Sequence, residues 1–137
     1  MKRVLVASGF LMLLSVSAFA GKEERDYATG TMNPAVAKAE ATYKSSCGCP
    51  LKITIDDKTI KSKDDMSSAR YIAESVTEGA PGYCTDAASK KAVCQMKTLV
   101  IGKAKEATFS FKGGTGTATT DGQGNTTWEM MTRELDK

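Results

Sequence analysis

No histidine occurs anywhere in the 137 residues. That absence removes Ser-His-Asp and Cys-His catalysis, and with them the usual imidazole ligand of catalytic zinc. Long apolar runs are equally scarce: the one that exists, residues 4–16, is shorter than the roughly 20 residues a helix needs to cross a bilayer. No cysteine precedes Cys47, so none stands beside that run to carry a lipid. Positive charge is not in excess either. Lys2 and Arg3 supply two of the 19 basic residues, and the other 17 face 16 acidic ones, a balance of +1. Without a basic stripe to neutralise phosphates, nucleic acid is set aside as a partner.

The amino terminus places Lys2 and Arg3 before the apolar run, and Ala18-Phe19-Ala20 before the charged stretch that starts at Gly21-Lys22-Glu23. This is the order of a cleavable export signal over residues 1–20, of a kind ordinary in bacteria, with cleavage expected after Ala20. The expected localisation is periplasmic or secreted, with no stable membrane insertion once the signal is removed. Taking 20 residues from 137 leaves 117, enough for one domain with a real core but not for two. Residues 21–32 are charged and poor in apolar side chains, which predicts a flexible leader. Residues 33–137 form the single domain.

Cys47, Cys49, Cys84 and Cys94 are an even set in an exported chain, which predicts a disulfide framework. A Cys47–Cys49 bridge would close too small a ring for the preferred geometry. The two remaining pairings both tie the Cys47/Cys49 segment to the Cys84/Cys94 segment. Cys49 with Cys94 and Cys47 with Cys84 is favoured, because Cys49 and Cys94 stand near the starts of two expected strands that could lie side by side. Each bridge would contribute about 3–4 kcal/mol in the chain-entropy picture. A thiol-based metal carrier or redox protein is an alternative, since thiolates with Met96 could hold Cu(I), but it needs free thiols.

Asn33-Pro34 reads as a helix start, followed by an Ala-rich helix that Gly48 stops. Leu51, Ile53 and Ile55 alternate with polar residues as in a half-buried strand, and Asp57-Lys58 turns the chain into a short segment at 59–61 that would complete a hairpin. Met66, Ala69, Ile72, Ala73 and Val76 recur at helical spacing behind a start signal at 62–65, and Gly79-Ala80-Pro81-Gly82 should end that helix. A short helical turn over 86–91 and a central strand over 92–101 follow. Alternation then predicts strands at 107–112, 115–120 and 125–132, joined at Gly113-Gly114 and residues 121–124. The expected fold is therefore α+β, a small disulfide-stabilised domain with two helices on one face of a curled antiparallel sheet that ends in a β-meander.

The polar sides of those strands, Thr108, Ser110, Thr117, Thr119, Thr127 and Glu129, are the candidate partner-binding face. Trp128 and Met130 are expected in the core. Asp121-Gly122-Gln123-Gly124-Asn125 has alternating oxygen ligands but Thr126 and Thr132 where a calcium loop needs Gly and Glu, and reads as a turn. Gly113-Gly114-Thr115-Gly116 lacks the Gly-Lys-Ser/Thr ending of a phosphate loop. Asp56-Asp57 and Asp64-Asp65 fit turn and helix-start roles, although paired carboxylates leave a small carboxylate-dependent hydrolase as a second alternative. With no cofactor, metal or catalytic constellation in the sequence, the expectation is a non-enzymatic binding module, an inhibitor or immunity-type protein acting on another protein or an envelope component.

Overall fold

The computed structural model describes residues 21–137; the expected export signal at 1–20 lies outside them. Residues 22–32, expected in a flexible leader, are helical instead. Helix α1 (Lys22–Tyr27) passes through a π-helical turn (Ala28–Met32) into α2 (Asn33–Cys47). Pro34 accounts for the widened turn. An unbroken α-helix would set its ring against the carbonyl four residues back, whereas here the Asn33 N–H reaches back five residues, to Ala28 O, just before the proline enters. Ala28 and Met32 are both buried in the core. Arg70 adds a hydrogen bond to the Tyr27 hydroxyl at 2.9 Å, so two well-placed apolar residues and one polar tie hold an otherwise charged segment. Gly48 ends α2 with φ 82°, the left-handed stop expected of it.

Strand β1 (Lys52–Ile55) follows, and then a turn in which Asp56 caps the backbone instead of opening a hairpin: its carboxylate accepts from Lys58 N at 3.1 Å and from Thr59 Oγ1 at 3.1 Å. The expected strand at 59–61 does not form. Helix α3 (Lys63–Tyr83) starts on a reciprocal cap, with Ser62 Oγ accepting from Asp65 N–H at 3.0 Å and the Asp65 carboxylate accepting from Ser62 N–H at 3.4 Å. It runs four residues past Gly79, where the sequence suggested an end. Pro81 falls in the last turn, and Gly79 leaves the space that the Trp128 indole fills, since a Cβ there would lie 2.3 Å from Trp128 Cγ. Helix α4 (Ala87–Val93), capped by Asp86, leads into β2 (Thr98–Lys103), and then come β3 (Phe109–Lys112) and β4 (Thr115–Thr120).

The sheet is mixed, with strand order β1-β2-β4-β3. β1 pairs with β2 in parallel, Ile53 opposite Leu99, and β2 pairs with β4 in parallel, Ile101 opposite Ala118. Only β3 and β4 are antiparallel, so the expected antiparallel meander is corrected to one hairpin beside two parallel pairs. The expected strand at 125–132 is corrected as well: helix α5 (Trp128–Leu135) occupies it, and Thr127 caps its first turn. Trp128, Met131, Thr132 and Leu135 are the buried residues, a helical spacing, whereas Met130 is only half-buried.

Mixed helix and sheet with two disulfides make a small α+β domain. The helices gather on one side, α3 against β2 and β4, α5 against β3, and α2 along α3. Ile53, Leu99, Ile101 and Ala118 from the sheet meet Met66, Ile72, Ala73 and Val76 of α3 in one hydrophobic cluster.

Candidate partner-binding face

The strand registers place one row of side chains across all four strands on the side away from the helices: Thr54, Val100, Thr117 and Ser110. The row before it reads Lys52, Thr98, Thr115 and Lys112, with the two lysines at its ends. Thr54, Ser110, Lys52 and Lys112 are exposed and the four residues between them are half-buried. Burial in a sheet alternates by residue because side chains alternate by face. The same strands bury Ile53, Leu99, Ile101, Gly116 and Ala118 on the other side.

Hydrogen bonding divides this polar face into two parts. Towards its far end the hydroxyls are engaged: Thr119 Oγ1 donates to Glu106 O at 2.6 Å and accepts from Thr108 N at 2.9 Å, while Thr126 Oγ1 donates to Thr108 O at 2.7 Å. Asp56 and Thr59 close that end, lying over Gly102, where a Cβ would come 3.1 Å from Thr59 Oγ1. In the middle and near end, the hydroxyls of Thr54, Thr98, Ser110, Thr115 and Thr117 make no hydrogen bond among the described residues. They are available to an incoming group. The face thus offers free hydroxyls and methyls on a stiff sheet, with two ammonium groups at one end and the Asp56 carboxylate at the other.

Of the six residues expected on a partner-binding face, Thr108, Ser110, Thr117 and Thr119 do share it. Thr127 and Glu129 do not. Thr127 accepts the Met130 N–H at 3.3 Å as the cap of α5, and Glu129 pairs with Arg133 at 3.2 Å on that helix. Sequence reasoning missed Lys52, Thr54, Thr98, Val100 and Thr115, whose alternation was visible but whose alignment depends on parallel pairing.

The cysteines brace one corner of this platform. Cys47 is bonded to Cys84, with Cα atoms 5.1 Å apart, and Cys49 to Cys94, with Cα atoms 5.9 Å apart, the pairing favoured from sequence. No cysteine among the described residues is free, the four sulfurs being paired with each other. Under the corner, the Tyr43 hydroxyl donates to Val93 O at 2.6 Å, and Tyr43 and Tyr83 both stand edge-on to Trp128. Burial raises the Tyr43 pKa and, with Asp136 nearby, pushes Tyr83 up to about 12. Both stay protonated at neutral pH.

The carboxyls that the fold shifts go down. Burial alone would raise Asp65, but the Lys103 ammonium at 3.0 Å and the Lys61 and Ser62 N–H groups outweigh it. Asp86 is lowered by Ser89 N–H, and Asp121 by Gly124 and Gln123 N–H groups at 2.6 and 2.8 Å. The 121–125 segment is thus the turn its sequence suggested, with the Asp121 carboxylate occupied by backbone. Compared with known protein families, curated proteins and solved structures, the chain matches none.

Proposed function

We propose that the chain is an exported, non-enzymatic binding module that docks another protein or an envelope component on the outer face of its sheet, as an inhibitor or immunity-type protein does. The observation that carries the reading is the set of unpaired hydroxyls, Thr54, Thr98, Ser110, Thr115 and Thr117, aligned across four strands of a braced sheet. A rigid polar surface loses little conformational entropy on binding, so its hydrogen bonds add to affinity. Two disulfides suit the oxidising compartments outside the cytoplasm. Lys52 and Lys112 favour a partner that presents acidic groups to that end.

Affinity capture from an envelope extract, with residues 21–137 as bait, tests it. One saturating partner is expected, and Thr117→Arg should release it while circular dichroism stays unchanged. A partner retained by Thr117→Arg and by Val100→Lys would remove the sheet face from the reading.

A further inference from the structure

Strand β3 is one of the two edge strands of the sheet. In an antiparallel pair, residues that exchange hydrogen bonds with the neighbour alternate with residues that do not. The two-residue Gly113-Gly114 turn, with φ 59° and 83°, makes Lys112 opposite Thr115 a bonded pair. Ser110 opposite Thr117 is then bonded too, in step with the Thr119 N–H to Thr108 O bond of 3.0 Å further along. Phe109 and Phe111 are left with their N–H and C=O groups directed away from β4, to the open edge.

We propose that this edge pairs with β3 of a second copy, antiparallel about a two-fold axis through Ser110, so that two sheets join into one. The outward groups of Phe109 bond those of Phe111 in the other copy, and the reverse. The register is free of like-charge opposition: Ser110 meets Ser110, and Lys112 meets Thr108. On the inner side, the half-buried Phe109 and Phe111 rings of each copy stand opposite one another and extend the core across the join. Beside them lies a groove of about 210 Å³ lined by Thr108, Phe109, Met130, Arg133 and Glu134. Its two charged residues are already paired within the chain, Arg133 with Glu129 and Glu134 with Lys137, so neither brings an unpaired charge to the join. Half-buried aromatics on an unprotected edge are what sheet proteins ordinarily cover. The pairing goes beyond the binding reading: it would set two polar faces side by side, and its test uses the purified chain alone.

Sedimentation of residues 21–137 over a concentration series is the experiment, with two variants at the exposed Ser110. A reversible dimer is expected, and Ser110→Lys, which sets two ammonium groups opposite each other at the axis, should weaken it about fivefold. Ser110→Cys should form a covalent dimer under mild oxidation, because non-bonded antiparallel partners lie about 4.5 Å apart at Cα, within disulfide reach. Thr54→Cys, on the opposite edge strand, should not. A monomer at every concentration up to about 1 mM, or equal cross-linking from both cysteines, would overturn the proposal.

Discussion

Asp65 shows how one side chain can serve two elements. Its carboxylate caps the start of α3 through the Ser62 and Lys61 N–H groups and holds Lys103, at the end of β2, by an ion pair of 3.0 Å. The charged form is the one these partners favour, so its pKa in the folded protein lies below the ordinary carboxylate value. The sign follows from linkage: stability gained from the charged form is whole above about pH 4, the unfolded value, and is lost as the pH falls through the lower folded value. Asp65→Asn should therefore cost about 1–2 kcal/mol at pH 7. The melting-temperature gap between the two proteins should narrow as acid is added below about pH 4. A gap that widened in acid would contradict this role.

At the scale of elements, the signals that were legible were local ones. The Ser62 cap, the apolar stripe of α3, the Gly48 stop and the Gly113-Gly114 turn each need only a few neighbouring residues, and each stands as read. What was hidden depends on distant partners. β1 and β2 are joined through α3, and β4 slips between β2 and β3, so no turn in the sequence records either parallel pairing. The candidate face was half-visible for the same reason: alternation marked Thr117 and Ser110, but only the register adds Thr54 and Thr98. In α5 two periods compete, because Trp128 fits both an alternating pattern with Met130 and a helical one with Met131 and Leu135. The Thr127 cap and the groove against α3 decide for the helix. Thr127→Val separates the two directly. In a strand a β-branched apolar residue would be neutral or favourable, whereas at a helix N-cap the loss of the hydroxyl should cost about 1 kcal/mol, read as a lower urea midpoint with unchanged slope.

For the whole molecule, the disulfide corner and the sheet face are two halves of one design. Cys47–Cys84 ties the end of α2 to the end of α3, and Cys49–Cys94 ties the entry of β1 to the end of α4 just ahead of β2. Both bridges restrict the unfolded chain across loops of several tens of residues, so Cys49→Ala with Cys94→Ala should lower the melting temperature by roughly 10 °C or more. Binding at low temperature should survive, since neither cysteine belongs to the polar face. Loss of binding by a still-folded double variant would place the ligand at the corner instead. The most direct test of the central claim is site-specific photo-cross-linking of the protein in the cells that make it. Benzoylphenylalanine at Thr117, in the middle of the face, is compared with the same group at Tyr71, which is 54% exposed on α3. A single discrete adduct from position 117 and none from position 71 is the expected result, and an adduct from position 71 alone would contradict the sheet face as the binding surface.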